Sequence, residues 1–260
     1  MMKLFRGDPR LLINAAPWAI VVVVVKGLLE WAGVHPLELS TLLPATITAE
    51  VFIIGFLLAG TSSDYKEAEH LPGEISASLE TIADECLITA TDPGLPEAQQ
   101  CLAKLVEISH AIRQWLLHNH EFSRVMADLR SLNDYFIVFG PKIQPGFTTR
   151  LKSEQAAMRK VVLRMDTIRR TSYVRAAYTI AEATAVVLVI ILLMTDLGSV
   201  APTLSLIGTI TYLLVYMLTL IRDLDNPFDY AGGKVGGADV SLEVLELTEE
   251  RLRALLVTIS

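Results

Sequence analysis

Cysteine is nearly absent: the 260 residues hold two, Cys86 and Cys101. Two thiols make no disulfide framework, and their spacing is not that of a zinc ligand set. Charge is thin as well. Asp, Glu, Lys and Arg make up 20% of the chain and hydrophobic residues 52%, against about 25% charged in ordinary soluble domains. Basic residues are the minority, 22 Lys and Arg against 29 Asp and Glu, for a net charge of −7. Nucleic-acid binders are usually strongly basic, so no nucleic acid is expected as a partner. No convincing run of alternating apolar and polar residues reads as a strand. No nucleophile-elbow motif surrounds any serine. The GGKVGG stretch at 232–237 lacks the helix-opening Lys-Ser/Thr of a phosphate loop. His118-Asn119-His120 spells HNH, but no cysteine or acidic cluster lies beside it; the plainer reading is two histidines on a helix face or loop. Nothing here resembles an enzyme active site.

What is plentiful is apolar sequence, and it is bunched. A bilayer core of about 30 Å needs about 20 consecutive, mostly apolar residues at helical rise. Residues 13–31 read INAAPWAIVVVVVKGLLEW. That run exceeds the roughly 7–15-residue core of a signal peptide, and no small-residue cleavage site follows it. Lys26 and Glu30 interrupt it four residues apart, where they can pair along one face or snorkel to the headgroups. Residues 42–60, LLPATITAEVFIIGFLLAG, form a second run. Residues 183–194, ATAVVLVIILLM, centre a third, and 204–221, LSLIGTITYLLVYMLTLI, a fourth. The link VHPLELS joins the first two as an antiparallel hairpin, and Asp196, Gly198 and Pro202 turn the chain between the last two. Glu50 falls inside the second run, where a carboxylate is expected to face a protein interior or water.

Lysine and arginine placement orients the spans. Lys3, Arg6 and Arg10 precede the first, Lys66 follows the second, Arg169, Arg170 and Arg175 precede the third, and Arg222 follows the fourth. The two short links at the other ends carry neither residue. The expectation is an all-α integral membrane protein of the cell membrane, multi-pass, with both termini and the middle domain cytoplasmic. Residues 1–60 hold the N-terminal segment and first hairpin, 61–174 a cytoplasmic helical domain, 175–222 the second hairpin, and 223–260 a cytoplasmic tail.

The middle domain reads as helices broken by two loops, TDPGLPE at 91–97 and FGPKIQPGF at 139–147. Apolar residues recur at three- to four-residue steps on either side, such as Leu71, Ile75, Leu79 and Ile82, then Leu102 through Val125, then Leu151, Met158 and Met165. Charge is divided unevenly. Residues 61–110 carry two basic and ten acidic residues, and residues 111–170 eleven basic and five acidic. Either two helical layers attract each other, or an acidic surface faces permeating cations. In the tail, Ser241 can cap a final amphipathic helix.

Two constellations carry possible chemistry. Thr48, Phe52 and Phe56 lie four residues apart and share one helix stripe, which Ala59 extends. Such a stripe is either a packing face or, in a symmetric oligomer, an apolar constriction that gates by dewetting. Asp223, Asp225, Asn226 and Asp229 crowd oxygen ligands just past the fourth span, a donor set suited to calcium. The spacing is not that of an EF-hand loop, and helix capping by Asp and Asn is the competing explanation.

Two segments resemble the bestrophin family of ion channels. In FLLAGTSSDYKEAEHLPGEISASL, Glu67, Ala68 and Gly73 fall where the family's YDRWWEARxxWGxL-like segment places Glu, Ala and Gly. In LDNPFDY, Asn226, Pro227 and Phe228 match the Pro-Phe segment that closes the family's last membrane helix. Tyr65 and Lys66 stand in place of the paired tryptophans, Asp64 in place of an arginine, and Asp229 in place of a glycine. The resemblance implies a homopentamer with the second helix around the axis. It places a hydrophobic neck on Thr48, Phe52 and Phe56; a register shifted by one residue would place it on Ile53 and Leu57. Asp64, Glu67, Glu69 and Glu74 then line a vestibule just past the neck, which favours cations over anions. Calcium is possible at Asp223, Asp225 and Asp229. The implied partners are membrane lipid, further copies of the chain and permeating inorganic ions. The alternative is a non-conducting membrane scaffold or sensor whose helical domain binds a partner, because a fold need not keep its function.

Overall fold

A computed structural model describes residues 9–34, 42–90, 96–171, 175–196, 198–230 and 238–258. Lys3, Arg6, nearly all of the VHPLELS link, most of the TDPGLPE loop, the Arg175 side chain and the GGKVGG stretch lie outside the described residues. Eight described helices follow in order: α1 (Pro9–Trp31), α2 (Leu42–Ala90), α3 (Glu97–His118), α4 (Phe122–Phe139), α5 (Pro145–Arg170), α6 (Arg175–Met194), α7 (Val200–Asp225) and α8 (Glu243–Thr258). No strand occurs among the described residues. Helices α1, α2, α6 and α7 are long and apolar enough to cross a membrane. The chain is an all-α, multi-pass membrane protein. It divides into two compact units, residues 1–65 with 172–226, and residues 66–171 with 227–260. Helix α2 contributes to both.

In the first unit, Leu43, Ile54 and Leu57 of α2 pack with Ala185, Leu188 and Leu192 of α6 and Ile207, Leu214 and Ile221 of α7. The spacing on α6 and α7 is helical, so each helix gives one stripe to the core and leaves the rest outside. Those outer faces are strongly apolar: Val186 of α6 is 59% exposed and Leu213 of α7 53%. Lipid solvates such faces; water does not. Helices α1 and α7 approach closely at Gly208, where a Cβ would meet Val23 Cγ2 at 3.0 Å, the small-residue contact common between membrane helices. Lys26 and Glu30 pair at 3.0 Å, and Lys26 also donates to the Leu193 carbonyl at 3.2 Å. The two interrupting charges of α1 therefore satisfy each other and tie α1 to α6.

In the second unit, the C-terminal half of α2 buries Ala68, Leu71, Ile75, Leu79, Ile82 and Cys86. Helix α3 buries Leu102, Leu105, Ile108, Ile112 and Leu116, and α5 buries Leu151, Met158, Val162 and Met165. The unequal charge is partly resolved here. Arg164 grips Glu67 through two 2.8 Å bonds and Arg150 reaches Glu85 at 2.7 Å, so basic α5 is paired with acidic α2.

The apolar period from Leu102 to Val125 reads as one helix, but the chain turns at 119–121 between α3 and α4. Asn119 takes the left-handed conformation, φ 55°, which asparagine tolerates better than most residues and which ends a helix. The period survives the turn because Trp115 and Phe122 meet across it, ring centroids 5.2 Å apart. The HNH histidines sit at this turn and are exposed.

Helix α8 lies along α3 and buries Leu245, Thr248, Glu249 and Leu252. The Ser241 hydroxyl accepts the Glu243 N–H at 3.3 Å just before the helix. Glu249 is the charged centre of the contact, bonded to Arg113 at 3.0 Å and Arg253 at 2.7 Å. Burial alone would push its carboxyl pKa up, but the Arg253 and Arg113 guanidiniums, with His110 beside them, hold it below the ordinary 4.5. A carboxyl depressed on folding stabilises the fold above its unfolded pKa, and that stabilisation is lost as pH falls through the folded value. Glu249→Gln should therefore lower the thermal midpoint of the full chain at pH 7, with the gap from the parent closing as pH drops below about 4.5. A gap of the same size at pH 7 and pH 3 would show that the ion pairs do not stabilise the docked helix.

Candidate functional site

The site is built on α2, a single helix of 49 residues, well beyond the roughly 20 that cross a bilayer. At 100° per residue, Thr48, Phe52, Phe56 and Ala59 fall within an arc of about 80°. All four are exposed, Phe52 to 74% and Phe56 to 61%. The Thr48 hydroxyl donates to the Pro44 carbonyl at 2.8 Å, so its polar atom is satisfied by its own helix. The opposite face is packed: Leu57 is fully buried and Ile54 and Glu50 nearly so. Of the shifted register, Leu57 is buried and Ile53 half-buried. Of these two registers, Thr48–Phe52–Phe56 is the one left uncovered by the described residues.

Beyond residue 60 the same helix face carries Ser63, Lys66, His70, Glu74 and Ala77, all exposed. The stripe thus passes from apolar to polar along one helix. The four acidic residues past the stripe are exposed but not equivalent. By helical period alone Glu74 and Glu67 continue the stripe, whereas Asp64 and Glu69 fall to either side of it. Glu67 is moreover engaged by Arg164.

The oxygen-rich segment after the fourth span is arranged differently from a post-helical ligand loop. Helix α7 does not end near Ile221; it runs on to Asp225, so Asp223 and Asp225 stand in its last turn. The helix stops there because Pro227 disfavours helical geometry at Asn226, which adopts φ −125° and ψ 68°. Asp229 belongs to the second unit and is exposed. Among the described residues no three His, Cys, Asp or Glu side chains gather to hold a metal ion. The matched Pro-Phe segment has a structural role instead. Phe228 is fully buried, the Val240 N–H donates to the Pro227 carbonyl at 2.9 Å, and the Tyr230 hydroxyl donates to the Val240 carbonyl at 2.9 Å. Cys86 and Cys101 are buried neighbours, and the bond to Cys86 together with burial pushes the Cys101 thiol pKa upward. The Cys101 thiol therefore stays protonated and unreactive. His118 and His120 face each other with centroids 6.2 Å apart.

No protein-family model matches the chain, and no curated protein sequence matches it. Solved structures do. Three crystal structures of a bacterial bestrophin homologue from Klebsiella pneumoniae superpose with TM-scores of 0.73, 0.74 and 0.74 at 15%, 14% and 15% sequence identity. They cover 96%, 94% and 95% of this chain and 99%, 97% and 97% of their own. The chain shares the fold of these bestrophin homologues over 94% or more of its length.

Proposed function

We propose that the chain is one subunit of an oligomeric ion channel, a pentamer in which α2 of each copy faces the axis. The observation that carries this reading is the uncovered stripe of α2. Two phenylalanines stand outward on the face opposite the bundle's packing, and the stripe turns polar once past the apolar run. Around an axis, Thr48, Phe52 and Phe56 form an apolar neck that blocks ions when it dewets. Glu74 on the stripe, with Asp64, Glu67 and Glu69 beside it, gives the vestibule a negative potential that concentrates cations. Both termini and residues 61–174 face the cytoplasm, consistent with lysine and arginine placement. The fold shared with bestrophin homologues supports the channel class.

Recording from purified protein in planar bilayers under a potassium chloride gradient tests the proposal. The expected current reverses near the potassium equilibrium potential, and Glu74→Gln moves that reversal toward zero. No conductance under any salt or calcium condition would sink the channel reading and leave the scaffold as the better account.

A further inference from the structure

The first unit holds a cavity of about 380 Å³ between α2, α6 and α7. Its walls are apolar, including Ile47, Ile54, Leu188, Leu214 and Met217, with the one ionisable exception of Glu50. Glu50 is 1% exposed, and neither of its carboxylate oxygens meets a donor at hydrogen-bond geometry. The Thr184 hydroxyl stands beside it and also lies within reach of the Ile180 and Ala181 carbonyls of its own helix, at 2.9 and 3.1 Å. Two described basic residues of this unit are committed elsewhere, Lys26 to Glu30 and Arg222 to Glu182. A carboxylate isolated among hydrocarbon is strongly disfavoured unless something compensates it, and ionisable groups at membrane depth commonly mark binding sites. Glu50 stands midway along the apolar run of α2, on the side away from Thr48, Phe52 and Phe56.

We infer that this cavity binds an amphiphilic organic cation, with its ammonium group on Glu50 and a compact hydrocarbon body against the apolar walls. The volume falls in the range of small-molecule pockets, roughly 300–1,000 Å³, which are mostly apolar with a few placed polar groups. Charge complementarity excludes an anionic ligand. A bare metal ion is excluded because it needs about six or more oxygens and the walls offer one carboxylate. Val51 and Leu213, which also line the cavity, are 65% and 53% exposed, so the cavity opens on the unit's apolar outer surface.

The test uses the full chain in nanodiscs of uncharged lipid, titrated calorimetrically with n-octylammonium and, in parallel, n-octanol and octanoate. The expected result is saturable octylammonium binding that weakens about tenfold or more in Glu50→Gln, with no saturable binding of the other two. Gly55→Leu provides a second variant. Gly55 lines the cavity and a Cβ there meets no atom within 4 Å, so a side chain can start from this position without a clash and take up cavity space. It should abolish binding while leaving the thermal midpoint intact. Equal uptake by the parent and both variants would mean partitioning into lipid only and would overturn the proposal. Equally tight octanol binding would do the same, because the cavity would then take hydrocarbon without regard to charge. Binding is read directly, so a chain that conducts no ions still gives a clear answer.

Discussion

Replacing Phe52 and Phe56 together with alanine should raise the current through each channel about tenfold, the effect of lowering a barrier by ~1.4 kcal/mol. The expectation follows from where the rings stand. Both are largely uncovered by their own chain, so their removal leaves no hole in the bundle, and around an axis they narrow and dry the path. An apolar constriction excludes ions by excluding water, and two methyl groups in place of two rings admit water. The check is single-channel recording at matched incorporation. Leu57→Ala is the contrasting change. Leu57 is fully buried on the packed face, so its truncation should lower stability by about 2–5 kcal/mol and leave the conductance of each surviving channel unchanged. Currents that do not change in the phenylalanine double variant would remove these residues from the pore.

Trp115→Ala should give the largest loss of stability, about 3–5 kcal/mol. Trp115 is 2% exposed, meets the Phe122 ring of α4 at a tilt of 51°, and lies under the Arg169 guanidinium of α5 at 5.8 Å. Arg169 also donates to the Trp115 carbonyl at 3.0 Å. One indole thus joins three helices across the turn at Asn119. Denaturant unfolding of the full chain measures the loss, and Trp115→Phe should recover much of it. A loss under about 1 kcal/mol would be typical of a surface substitution and would contradict this role.

The four membrane helices were legible because a bilayer imposes a length and a composition that no fold can evade, and the valine-rich run of α1 has no other reading. The stripe on α2 was legible from four-residue spacing alone. The break at Asn119 was not, because the core contact between Trp115 and Phe122 keeps the apolar period running through it. The end of α7 was not legible from its apolar run for a related reason. Arg222, Asp223 and Asp225 mark the end of the apolar run, but the backbone stays helical until Pro227 forbids it. Apolar composition reports where hydrocarbon stops, whereas proline geometry reports where the helix stops. The cavity at Glu50 was beyond any periodicity. Spacing shows which side of α2 the residue takes, but an empty volume depends on the sizes of side chains from α6 and α7 that meet there. The role of Glu67 was likewise hidden, since its partner Arg164 lies 97 residues away.

The central claim is that α2 lines an axis shared by several copies of the chain, and a density map of the purified protein in lipid nanodiscs tests it most directly. The expected map shows five copies in a closed ring with Phe52 and Phe56 of each pointing at the axis. A monomer, or a ring in which those two rings face lipid while another helix surrounds the axis, would contradict it.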